Sequence, residues 1–393
     1  MASCGINRSL TEALYCHTNQ PPTRLRLKAS VQMQHLRAAA LVLLAHAYRA
    51  RALVHSMVAS WLHPSVLRMA THMSVLSGTG DVHAFECDFL TDVEGDLVYF
   101  NRWVDQSTIV HRGPDGVLEL THPGAHFVYG GDAIDRGEGS VRLLRSLVQL
   151  KRAFPERVTL LVGNRDLNKL RLTSELGPAD MARHPSQIPP PHWDNSAPSL
   201  LTYLEELAAS SGARVEDLDC RAERLRYMYR HTLGCPSTFE HWRAELSLLR
   251  GCNPTDVSDD DVVAEVMADV RPGGALHEYL SLACVAALKG NTLFVHGAVD
   301  PLTLGFVPDD STRFCLPTEP PPFKRVECVA EWVEEMNAFL RRGLAAHAAQ
   351  PEWDDARHRR GGEQLMALQN RCAVWGRSVV SNCFAGALST IAS

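Results

Sequence analysis

Four short apolar runs, each ending in a polar turn, set the frame of this chain. Phe89-Leu90 leads into Thr91-Asp92-Val93-Glu94-Gly95, and Phe127-Val128-Tyr129 into Gly130-Gly131-Asp132. Val158–Val162 leads into Gly163-Asn164, and Thr292–Val295 into His296-Gly297. The runs are rich in β-branched or aromatic residues, so each reads as a buried strand. Helical periodicity alternates with them. Val141–Phe154 places apolar residues at Leu143, Leu144, Leu147, Val148 and Leu150, and Pro155 stops it. Leu97–Val104 is also helix-like. Strands alternating with helices predict an α/β architecture.

Residues 173–290 follow another pattern. Prolines keep Gln187–Pro198 irregular. Leu200–Ala209, Val215–Leu233, His241–Leu249, Asp259–Val270 and Leu276–Lys289 read as helices, with Ser258 as an N-cap. Together they predict a mainly helical insertion, placed as a lid. Pro317–Pro322 is a break, Val326–Leu340 an amphipathic helix and Ala345–Gly362 a polar loop or frayed helix.

Composition narrows the class. The 393 residues are 45% hydrophobic and 21% charged, enough for one large or two medium domains. The net charge of −6 is too mild to imply nucleic-acid binding. Its distribution is uneven: residues 1–80 hold eight Lys/Arg and one acid, Glu12. This basic N-terminal extension reads as a transit peptide, as a dispensable segment with Met69 or Met73 as the functional start, or as a helical appendage. Arg37, Arg49 and Arg51 interrupt its apolar stretch, so no membrane span is expected. Eleven dispersed cysteines without a CxxC pair fit a reducing compartment. The expected location is cytoplasmic, or mitochondrial if 1–80 is a transit peptide.

The chemistry gathers at the carboxyl ends of the predicted strands, where open α/β sheets build their sites. Asp92 and Glu94 come first, then Asp132 and Asp135, then Asn164 and Asp166, then His296. Oxygen ligands with one imidazole suit divalent ions such as Mn²⁺ or Mg²⁺, with Fe or Zn as alternatives. Singly, an Asp after a strand is a turn residue or N-cap, and His296 a structural histidine. The ordered set is less readily explained by chance.

Gly130-Gly131-Asp132-Ala133-Ile134-Asp135-Arg136-Gly137 resembles the GDxxDRG block of calcineurin-like metallophosphoesterases. Gly163-Asn164-Arg165-Asp166 is similar to their GNH(E/D) block, Phe294-Val295-His296-Gly297-Ala298 to their VHGG block, and Asp92-Val93-Glu94-Gly95 to their opening DxHG block. The resemblance covers about residues 85–300, in the family's order. Gly80-Asp81-Val82-His83 is a literal but poorly placed alternative for the opening block. The resemblance implies a four-layer α-β-β-α sandwich spanning 85–393, with helical insertion 173–290. It implies hydrolysis of a phosphoric ester by a metal-bound hydroxide at a dinuclear site. Asp92 and Glu94 would bind the first metal, Asp132 would bridge, and Asn164 and His296 would bind the second. Arg136 would orient the substrate phosphate, and Asp135 would support Arg136 or the local turns rather than bind metal. The substrate would be a small ester, a nucleotide or a phosphoprotein.

Three departures qualify that expectation. Glu94 and Arg165 stand where the family has histidines, and arginine is a poor general acid. Arg165 could still bind phosphate. The family's late GHxxH block has no counterpart, because the chain contains no Gly-His dipeptide. His347 and His358 are weak substitutes. The alternative expectation is a catalytically weak or inactive relative that binds a phosphorylated ligand or a protein partner.

Overall fold

A computed structural model describes residues 86–191, 194, 196–299, 303–312, 323–366 and 373–374, a mixed α/β chain. The extension 1–80, the Asp81–His83 alternative, Pro317–Pro322 and the stretch from Trp375 onward lie outside these residues.

Strand β1 (Glu86–Leu90) is followed by helix α1 (Leu97–Gln106) and a small antiparallel pair, β2 (Val110–Arg112) and β3 (Leu118–Leu120). Strand β4 (Ala125–Tyr129), helix α2 (Ser140–Ala153) and strand β5 (Val158–Leu160) come next. Strands β1, β4 and β5 form a parallel sheet in the order β1-β4-β5. The α2 stripe of Leu143, Leu144, Leu147 and Leu150 is fully buried. Each such leucine contributes about 2 kcal/mol. A short helix, α3 (Asn164–Asn168), opens directly after Gly163.

The stretch 200–282 is helical: α4 (Leu200–Ser211), α5 (Arg221–Tyr227), α6 (Thr238–Arg250), α7 (Asp259–Asp269) and α8 (Ala275–Leu282). Ser258 caps α7 by accepting the Asp261 N–H, and Asp261 returns the bond in a capping box. Buried Glu245 of α6 accepts the N–H groups of Val141 and Arg142, 3.0 Å each, at the start of α2. A carboxylate there meets unsatisfied donors and the positive end of the helix dipole.

Two sequence expectations fail here. Val215–Leu233 is not one helix. It comprises Val215–Leu218, α5, and a π-helical turn at Met228–Thr232, with Asp219 non-helical at ψ 77°. Leu276–Lys289 is also not one helix, because α8 stops at Leu282 and Ala286–Lys289 is strand β6. β6 pairs antiparallel with β7 (Thr292–Val295) across the two-residue turn Gly290-Asn291. Just before β6, Cys284 bridges to Leu161 in parallel, which carries this hairpin to the flank of β5. Beyond it, β8 (Phe306–Pro308) pairs with β9 (Phe323–Arg325), and α9 runs from Val329 to Ala349, nine residues past the expected end. Trp332 is fully buried and donates to the Phe306 carbonyl, as a core anchor does. Among the described residues, no helix is long and apolar enough to cross a membrane.

One α9 residue makes stability depend on pH. His347 is buried, with Nε2 at 3.2 Å from the Leu170 carbonyl and 3.0 Å from Thr173 Oγ1, and Nδ1 without a partner among the described residues. Nε2 therefore carries the proton, and protonating Nδ1 would add a buried donor with nothing to meet. Burial is the main cause that lowers its pKa to about 4. A histidine depressed in the folded state supports stability fully above its unfolded pKa, near 6.5, and loses that support as pH falls toward 4. The expected loss is about 3 kcal/mol. Urea unfolding at pH 7, 5.5 and 4 should give a flatter profile for His347→Gln than for the parent. Parallel profiles would refute the assignment.

Candidate metal centre

The loops after β1, β4, β5 and β7 meet at one end of the parallel sheet. Backbone bonds fasten them. Asp92 N–H donates to the Gly131 carbonyl and Glu94 N–H to the Asp132 carbonyl, each at 3.0 Å. Arg136 and Gly137 donate back to the Glu94 carbonyl at 2.7 and 2.8 Å. A Cβ on Gly163 would lie 2.0 Å from the Asp132 nitrogen, so only glycine lets these loops approach.

Five non-glycine residues among those described have positive φ, and four belong to the predicted site. They are Asp92 (54°), Glu94 (51°), Asp132 (53°) and Asp135 (124°). Such torsions cost about 1–3 kcal/mol each and collect at functional sites.

One ligand atom from each of Asp92, Asp132 and His296 lies within 4.8 Å of the others. Asn164 joins them: its Oδ1 is 3.1 Å from His296 Nε2, and Asp132 Oδ1 is 3.5 Å from the same nitrogen. His296 Nδ1 is 2.7 Å from the Gly130 carbonyl. A carbonyl can only accept, so Nδ1 donates to it, and Nε2 faces the two oxygens. Two oxygens and an imidazole nitrogen converging on one point are an arrangement that can hold a cation. A backbone carbonyl behind the ring is the usual way to orient a ligating imidazole. The donor set therefore fits a divalent ion.

Glu94 and Arg165 are placed differently. Glu94 meets Arg136 Nε at 2.8 Å through Oε2 and Arg165 Nε at 2.9 Å through Oε1. Its carboxylate thus stands between two guanidiniums and outside the Asp92–Asp132–His296 group. Burial raises its pKa and the two arginines pull it back. Arg165 also approaches Asp135 Oδ2 at 3.3 Å and Asp132 Oδ2 at 3.6 Å. Burial opposes its charge, but Asp135, Glu94 and Asp132 outweigh it and hold its pKa above the ordinary arginine value. Arg165 gives up no proton at working pH. Arg136 is the exposed cation of the site.

Asp135 does not face the acceptor cluster. Lys169, itself buried, donates to its Oδ2 at 2.8 Å, and Thr238 of α6 donates to its carbonyl at 2.7 Å. Lys169 is thus a buried ion-pair partner of Asp135. Arg171 is held by Glu175 at 2.7 and 2.9 Å. His347 and His358 do not join the cluster: His347 is occupied as described, and the His358 N–H donates to Asp354.

Asp166 organises the site. Fully buried, it accepts the N–H groups of Asp132, Ala133 and Gly163 at 2.9, 2.9 and 3.0 Å. Burial raises its pKa while the N–H donors act against that. Sequence reasoning placed it in the chemical set without a role. The signal was its position three residues after Gly163, where a carboxylate can reach back to the N-cap amide.

Burial is also the chief cause that pushes Asp132 up to about 7, with His296 opposing and Asp166 reinforcing. Around the site Asp92, Glu94, Asp132, Asp135 and Asp166 face Arg136, Arg165 and Lys169. No family model, no curated protein and no solved structure matches the chain.

Proposed function

We propose that this chain is a metal-dependent phosphoesterase of the calcineurin-like type, hydrolysing a phosphoric ester. The observation that carries the reading is the convergence of Asp92, Asp132, Asn164 and His296 on one point. The parallel strands that end at this point support the four-layer α-β-β-α sandwich as the underlying fold.

Asp92, Asp132, Asn164 and His296 would hold one cation, with Mn²⁺ or Mg²⁺ favoured by three oxygen donors and one nitrogen. Glu94 would reach a second cation only by releasing Arg136 or Arg165. When bound, divalent ions stabilise the negative charge that gathers on phosphoryl oxygens during ester cleavage. Arg136, exposed and anchored by Glu94, would receive a phosphate through its remaining N–H groups. Arg165 adds fixed positive charge and cannot protonate a leaving group, so esters with good leaving groups should react best.

A second reading is a protein that binds one cation and a phosphorylated partner without turnover. The locked Glu94–Arg165 pair favours it.

Metal content of the full chain, measured by mass spectrometry, and Mn²⁺-dependent hydrolysis of bis(p-nitrophenyl) phosphate test the two together. Turnover with at least one ion per chain is the expected result. Bound metal without turnover selects the second reading. Absence of both overturns the metal centre.

A further inference from the structure

We propose that the chain carries a second ligand site, for a small organic anion with an apolar body, in a cavity that shares no residue with the candidate metal centre. The inference does not rest on the phosphoesterase reading. The cavity measures about 470 Å³, within the range of small-molecule sites. Arg171, Arg183, Arg224, Arg357 and Arg360 line it against only three carboxylates, Glu175, Asp180 and Glu363.

The wall is positive after its own pairs are counted. Asp219, outside the lining, takes up Arg224 at 2.6 and 2.8 Å. Four arginines then face three acids. Arg357 spends Nε and Nη2 on Asp180, and Nη1 has no partner among the described residues. Arg360 spends Nε on Glu363 and Nη1 on Ser174 Oγ, and Nη2 is likewise without one. Both guanidiniums lie over the Trp353 ring, each 4.6 Å from its centroid. Stacking on an aromatic face fixes a guanidinium and leaves its edge for an anion. The Trp353 indole N–H is buried and has no partner among the described residues, so the same ring carries a further unused donor. Ile188, Pro190, Leu200 and Met228 add an apolar stretch of wall.

Two backbone features mark the same cavity. The π-helical turn Met228–Thr232 gives it Met228 and Thr232. Such turns are uncommon and recur at functional sites. Arg357 is the fifth residue with positive φ, at 56°, and the one outside the metal centre.

Calorimetric titration of the folded full chain at low salt tests this, with naphthalene-1-sulfonate as the probe and neutral naphthalene-1-sulfonamide beside it. The expected result is one site for the sulfonate and affinity at least about tenfold weaker for the sulfonamide. Arg357→Gln should weaken the sulfonate about tenfold, and Thr232→Trp, which fills the cavity, should abolish binding. Asp132→Asn should leave it unchanged. The proposal is overturned if the parent does not bind the sulfonate or binds the neutral analogue equally well. It is also overturned if either cavity variant, folded by circular dichroism, binds like the parent, or if Asp132→Asn removes binding. Should Arg357→Gln unfold by stranding Asp180, Thr232→Trp and the two probes decide.

Discussion

Asp132→Asn is expected to lower Mn²⁺ affinity by more than about 100-fold and hydrolysis by about 100- to 1000-fold while leaving the protein folded. Asparagine keeps an oxygen that can accept the Arg165 N–H, which Asp132 Oδ1 now takes at 2.8 Å. It also tolerates the left-handed backbone at φ 53°. The backbone bonds from Asp132 to Asp166 and from Glu94 to Asp132 do not involve the altered group. What goes is one negative charge among acceptors that face each other. Metal content, hydrolysis and the thermal midpoint of the same preparation give the answer. Unchanged metal binding in a folded variant would sink the assignment of the centre.

Asp166→Ala should destabilise the fold by about 4 kcal/mol, on the scale of removing one member of a buried charged network. The carboxylate receives three backbone N–H groups from two loops and is itself shut off from solvent. Alanine strands all three donors, and each buried, unsatisfied donor costs about 1–3 kcal/mol. Relaxation and entering water recover part of that sum. Urea unfolding at neutral pH measures the loss. A change under about 1 kcal/mol would mean that the loops after β4 and β5 hold their shape by other contacts.

The strand ends were legible in the sequence because apolar runs there stop at glycine and acid, and glycine is required where loops crowd; the expected burial holds for β4 and β5, whereas β1 and β7 are only partly buried and Phe89 is exposed. The helix α2 was legible because its leucines keep a strict spacing. The strand Ala286–Lys289 was hidden by a different cause. Leu276–Lys289 has helix formers throughout, and Leu280, Leu282, Val285 and Leu288 satisfy more than one periodicity. Yet Lys289-Gly290-Asn291-Thr292 stands between two apolar runs, and a two-residue Gly-Asn turn is a hairpin signal. Gly290 has φ 56°, as that turn needs. The partners of Glu94 were not legible. Sequence can place a carboxylate and two arginines near one site, but which atoms meet depends on side-chain torsions set by packing. Lys169 is a similar case: its burial follows from Asp135, 34 residues earlier, lying directly across from it.

The left-handed backbone at Asp92, Glu94, Asp132 and Asp135 sets stability against retention of these side chains. Glycine at any of the four would relieve a torsional cost of the order of 1 kcal/mol. The most stable form of these loops would therefore carry fewer carboxylates than the chain has. Three aspartates and a glutamate stand at these positions in spite of that cost, the pattern of a protein that trades stability for a working site.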